Sequence, residues 1–191
     1  MDAKKFVVEL ARNVHSSEFY TNMGLSTEDA TEMVEDEKES LLLLEKSHVP
    51  RLIEDPIESL ILNYDTSKLE IGMVRLGEPT FVCDIPSGKV PIGVIESDPL
   101  VINKQNGEVE LLDHSKPDFV MAKCAISSEK FMEALLLLAS FVPPYIDLYG
   151  DLPKDKAEKN NSAAYDIASK CALAAEISDE KNIYEMLLGS E

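Results

Sequence analysis

Asn106-Gly107 is the pair that most constrains the fold of this chain. It lies between Pro99-Leu100-Val101-Ile102-Asn103-Lys104 and Glu108-Val109-Glu110-Leu111-Leu112, two runs rich in β-branched and aliphatic residues. Asn-Gly accepts the positive φ angles of a type I′ turn, so the pattern predicts a β-hairpin. The surrounding sequence has the same character. From Lys68 onward, Leu69, Ile71, Met73 and Val74 lead to Gly77, and residues 80–85 read as a strand. Pro86-Ser87-Gly88 follows as a turn, with residues 89–94 as the next extended segment. Pro91, which cannot donate to a ladder, marks an edge or a bend there. After Asp113-His114-Ser115-Lys116-Pro117, residues 118–126 alternate as a further strand, which gives a sheet region over about residues 68–126.

Helical periodicity flanks this region. Phe6, Val7, Leu10, Ala11 and Val14 recur at threes and fours and predict an amphipathic helix over 3–14. Ser26 and Asp29 have capping-box spacing and predict a second helix running toward Lys46, acidic in its first turns and apolar at its end. Pro50 and Pro56 break the pattern, and Ile57, Leu60, Ile61 and Leu62 read as a short buried turn or strand. Ser127 is a good N-cap for a helix over 128–141 stopped by Pro143-Pro144. Residues 162–177 and 178–188 read as two further helices, within a C-terminal helical extension over about 145–191. Helices, antiparallel strands, then helices predict one α+β domain over 1–191, a mostly antiparallel sheet packed against helices from both termini.

Charge narrows the function. The chain has 191 residues, with 36 Asp and Glu against 18 Lys and Arg, for a formal net charge of −18. Phosphate binding depends on clustered Lys and Arg, so an acidic chain without a basic stripe argues against nucleic acid as a partner. A basic protein is attracted instead. No run approaches the roughly 18 apolar residues of a membrane-spanning helix, so no membrane partner is expected. The N-terminal stretch does not have the form of a secretory signal, which makes the expected location cytoplasmic. Three cysteines, Cys83, Cys124 and Cys171, are odd in number and far apart, which suits reduced core thiols. The histidines His15, His48 and His114 are scattered and no C-x-x-C occurs, so neither a metal nor a cofactor is expected.

No catalytic signature stands out. Ser87-Gly88-Lys89 lacks the upstream glycine of a phosphate loop, since Cys83 stands there, and reads as a tight turn. Asp113-His114 reads first as a polar pair ending a strand and second as an acid/base pair. Cys124 reads as a packed thiol before a nucleophile. An enzyme would need a concave pocket gathering Asp113, His114 and Cys124. A secretion chaperone or adaptor, the third class, predicts a dimer with an exposed apolar groove.

Val90-Pro91-Ile92-Gly93, Pro99-Leu100-Val101-Ile102-Asn103, Asn106-Gly107-Glu108-Val109, Leu112-Asp113-His114 and Phe131-Met132-Glu133-Ala134-Leu135 together resemble the SUKH superfamily over about residues 70–140. The family often carries a Gly/Asp-rich loop where Ile95-Glu96-Ser97-Asp98 stands, and tryptophan is absent from this chain. The resemblance implies an α+β fold and a non-catalytic protein that neutralises a toxin, commonly a nuclease, or regulates by binding. A nuclease cleft is electropositive because its substrate is a polyanion, so carboxylates are the expected contacts. The candidates are Glu28, Asp29, Glu32, Glu35, Asp36, Glu37 and Glu39 in the second helix, and Glu96, Asp98, Glu108 and Glu110 in the sheet.

Overall fold

Short turns dominate the middle of the chain. β1 (Glu70–Ile71) leads to β2 (Val74–Leu76) through Gly72-Met73, β3 (Lys89–Ile95) to β4 (Asp98–Asn103) through Glu96-Ser97, and β5 (Val109–Asp113) to β6 (Lys116–Ala125) through His114-Ser115. Such connections fold each strand back on its predecessor, and the result is an antiparallel meander in the order β1-β2-β3-β4-β5-β6. These elements come from a computed structural model that describes residues 1–47, 52–77, 84–146, 152–178 and 183–188.

The hairpin at Asn106-Gly107 forms, but not around a two-residue type I′ turn. Residues 104–108 separate β4 from β5, and Gly107 has φ 79° while Asn106 does not enter the left-handed region. The Asn106 side chain instead accepts the Glu108 amide at 3.0 Å, and the Gly107 amide donates to the Asn103 carbonyl at 2.8 Å. Asn-Gly therefore makes an Asx turn within a longer loop.

Pro91 lies in an interior strand, so the edge reading gives way to the bend: the β3–β4 register shifts between Pro91 and Gly93. Because β2 pairs only with Gly93, Val94 and Ile95, Pro91 lies past its end and owes it no amide. Gly93 has a different constraint. A Cβ there would stand 2.2 Å from the Arg75 carbonyl oxygen of β2. Of the strand expected over 80–85, residues 80–83 lie outside the described residues, and Asp84 and Ile85 belong to no strand.

The helices are α1 (Ala3–Ala11), α2 (Ser17–Asn22), α3 (Thr27–Leu41), α4 (Pro56–Asn63), α5 (Ser128–Ala139), α6 (Lys154–Ala175) and α7 (Ile183–Leu187). Residues 57–62, read as a turn or strand, belong to α4. Asp55 caps it by accepting the Ile57 and Glu58 amides, and Pro56 occupies the first turn, where a missing N–H costs nothing. α3 stops at Leu41 rather than Lys46, because Leu42 is extended and residues 44–46 run beside Tyr64 and its neighbours. α6 begins eight residues earlier than expected, at Lys154 rather than Ser162.

Phe6 and Leu10 of α1, Ile57 and Leu60 of α4, and Phe131 and Leu135 of α5 meet Ile92, Leu100, Ile102 and Leu111 of the sheet in one core. α6 lays Ala168, Cys171 and Ala175 against this core, small residues that let two helix backbones approach, and the Cys171 thiol donates to the Ala134 carbonyl of α5. α2 and α3 form a satellite around Tyr20, Ala30 and Val34. The architecture is α+β, with helices from both ends of the chain on the sheet. No described helix is long and apolar enough to cross a membrane.

Candidate functional site

The acids of α3 divide by helical period. Glu28, Glu32, Glu35 and Glu39 follow each other at spacings of four, three and four, which is one stripe of a helix, and Asp36 flanks it. All five are exposed. Ala30, Val34 and Leu41 fall on the opposite side and are buried. The helix is set on its neighbours by its apolar stripe, and that packing turns the carboxylates outward.

Two acids of the run do other work. Asp29 completes the N-terminal cap: its amide donates to the Ser26 hydroxyl at 3.1 Å, and that hydroxyl donates to its carboxylate at 2.7 Å. Glu37 turns inward. Its Oε2 accepts the His15 amide at 2.8 Å, and its Oε1 meets the His15 ring Nδ1 at 2.8 Å and accepts the Tyr20 hydroxyl at 2.5 Å. Burial, with this carboxylate alongside, pushes the Tyr20 phenol well above its ordinary value. Phe19 stacks on the His15 ring, with centroids 4.3 Å apart. Glu37 thus ties the α1–α2 connection to α3 and holds the acidic stripe in place. Nothing in the local sequence signals this junction, because its members are far apart along the chain.

Counter-charges are few. Lys38 pairs with Glu35 at 2.7 Å within the helix, and Lys68 pairs with Glu39. No ion pair among the described residues involves Glu28, Glu32 or Asp36. At its C-terminal end the stripe borders a shallow, open depression lined by Asp36, Glu39, Ser40 and Lys68.

The sheet acids are placed differently. Glu110 is buried, accepts from Asn103 at 3.0 Å and pairs with Lys89 at 2.6 Å. Glu108 pairs with Lys123 at 2.5 Å and accepts from Asn106. Asp98 accepts the amide of His114 at 3.0 Å and meets its ring Nδ1 at 2.6 Å. Glu96 is exposed in the β3–β4 turn at φ 55°. The structure therefore brings the α3 acids together on one face, while three of the four sheet acids are engaged in internal pairs.

The residues weighed for chemistry do not share a pocket. Asp113 and His114 sit at the β5–β6 turn, whereas Cys124 is eight residues along β6 from Lys116, roughly 26 Å of strand. Cys124 is fully buried, and burial together with the Glu110 charge pushes its thiol up to about 12, far from a reactive thiolate. Burial also pushes Cys171 up to about 12. Ser87-Gly88-Lys89 forms a turn with Gly88 at φ 86°, and the Lys89 ammonium is directed to Glu110. Cys83 and His48 lie outside the described residues. Comparison with known proteins finds no family model, no curated protein and no solved structure that matches the chain.

Proposed function

We propose that this protein is a non-catalytic binding module that docks a basic protein on the acidic stripe of α3, in the manner of an immunity protein that neutralises a nuclease toxin. The observation that carries the reading is the row Glu28, Glu32 and Asp36, exposed and without ion-pair partners among the described residues. A row of unpaired carboxylates on a firmly packed helix is complementary to a cleft built to hold a polyanion. Such complementarity speeds encounter and selects the partner. The SUKH resemblance supports the same reading, as does the formal net charge of −18. The sheet acids other than Glu96 are left out of the proposed contact, because each is committed to an internal partner.

The test is affinity capture at low and high salt with the full chain and with the triple variant Glu28→Lys, Glu32→Lys, Asp36→Lys. A basic protein held by the parent, released by salt and lost by the variant is the expected result. Equal capture by the variant sinks the proposal. The three side chains are exposed, so circular dichroism of the variant should match the parent.

A second reading, an adaptor, is favoured by one feature. β6 is an edge strand, and its Phe119, Val120 and Met121 are exposed. Apolar side chains on an open edge invite strand pairing. Sedimentation distinguishes the readings: an adaptor of this kind is a dimer that Phe119→Asp dissociates, and a parent that remains monomeric at high concentration removes it.

A further inference from the structure

We propose that Asp98, Asp113 and His114 form a binding site for a transition-metal dication of the zinc class. One ligand atom from each residue can be chosen so that all lie within 4.8 Å of one another. The meander creates this cluster. β4 pairs antiparallel with β5, with Leu100 opposite Leu111, so Asp98 and Asp113 come opposite each other two residues further on. His114, the first residue of the following turn, closes the group from the side.

Two carboxylates opposed across a pair of strands repel unless a cation lies between them. Neither Asp98 nor Asp113 forms an ion pair with a Lys or Arg among the described residues; the His114 ring Nδ1 lies 2.6 Å from Asp98. The carboxylates are also held in position. Asp98 Oδ1 accepts the His114 amide at 3.0 Å, and its Oδ2 has no hydrogen bond among the described residues. Asp113 Oδ1 accepts the Ser115 amide at 2.7 Å and hydroxyl at 2.6 Å. Entry of a cation would displace to solvent any proton held between His114 Nδ1 and Asp98 Oδ1. The cation then binds one imidazole nitrogen and one oxygen of each aspartate, with water completing a tetrahedron.

The donor set selects the metal. One imidazole and two carboxylates suit zinc, whose bonds to nitrogen and oxygen are about 2.0–2.2 Å long, so the ligands close in by small side-chain rotations. Calcium takes about six to eight oxygens, and magnesium keeps most of its water, so three such ligands hold either weakly. An ion here ties the β3–β4 turn to the β5–β6 turn at one end of the sheet.

Titration calorimetry of the full chain with zinc chloride, and with magnesium chloride as the comparison, tests the site alongside the variants His114→Gln and Asp98→Asn. The expected result is one saturable zinc equivalent per chain that is weakened on the order of tenfold or more by either substitution, with no saturable magnesium site. Ring proton resonances of His114 should shift on zinc addition while those of His15 hold still. Binding that persists unchanged in His114→Gln assigns the metal to other ligands and overturns the proposal, as does the absence of saturable zinc binding by the parent. The His114 resonances of the parent decide the matter even if a variant misfolds. None of the three ligands lies on α3, so zinc binding and partner capture succeed or fail separately.

Discussion

Three residues show how much of the molecule depends on single atoms. Gly93 is the first: any side chain at this position would drive a carbon to 2.2 Å from the Arg75 carbonyl, so Gly93→Ala must part β2 from β3. Chemical denaturation should register a loss of about 3 kcal/mol, the scale of overpacking in a rigid core. Glu37 is the second. Glu37→Ala strips partners from the His15 amide and the buried Tyr20 hydroxyl, and about 2–3 kcal/mol of stability should go with them. The third is Cys124. Its thiol sits at about 12 in the folded chain against an ordinary 9.0, so its contribution is fully present below pH 9 and is lost as pH rises toward 12. The unfolded chain ionises there while the folded chain does not, which lowers stability by ~1.4 kcal/mol per pH unit. Urea titrations across that window should give a steeper decline for the parent than for Cys124→Ala; parallel slopes would mean the thiol ionises freely in the fold. Asp98, Asp113 and His114 belong at this scale too. Residues 113 and 114 are adjacent, but Asp98 joins them only through strand register, so their proximity is not legible from spacing along the chain.

At the scale of elements, legibility follows how local the determining interaction is. Ser127 and Ser26 cap α5 and α3 by accepting hydrogen bonds from amides three residues on, so both starts can be read from sequence. β4 and β5 are legible as the apolar runs on either side of Asn106-Gly107, and β6 by its alternation. The end of α3 is not, because the chain leaves the helix at Leu42 and residues 44–46 run beside Tyr64 and its neighbours, partners distant in sequence. α4 is obscured for another reason: Pro56 reads as a breaker, although Asp55-Pro56 is a cap followed by a helix-starting proline. Asp55 reaches further, since its second oxygen accepts the hydroxyl of buried Ser128 at 2.7 Å and so joins the starts of α4 and α5. Asp55→Ala should cost about 2–3 kcal/mol, roughly 1 from the cap and the rest from the orphaned hydroxyl. Asp55→Asn keeps a capping oxygen and should recover about half of that. Equal losses in the two variants would show that the carboxylate's charge, not its acceptor geometry, holds the helices together.

The whole molecule carries a formal net charge of −18, and such a surface repels itself. The α3 stripe concentrates the repulsion: Glu28 and Asp36 each stand four residues from Glu32, on the same face and without opposing cations among the described residues. Glu32→Lys turns two like-charged neighbours into two attractive ones. Pairs at this spacing contribute roughly 0.2–0.5 kcal/mol each, and like-charged pairs cost similar amounts, so the swing is about 1 kcal/mol in favour of folding. The gain should shrink as added salt screens the surface over a Debye length of about 8 Å at physiological strength. Thermal melts of the parent and the variant at low and high salt measure it directly. If the stripe serves a basic partner, the same substitution that stabilises the chain must weaken capture, the opposition expected where a site is kept against stability. A variant that is both more stable and equally good at holding the partner would mean that the stripe serves only solubility, and the contact would then have to be sought at the open edge of β6.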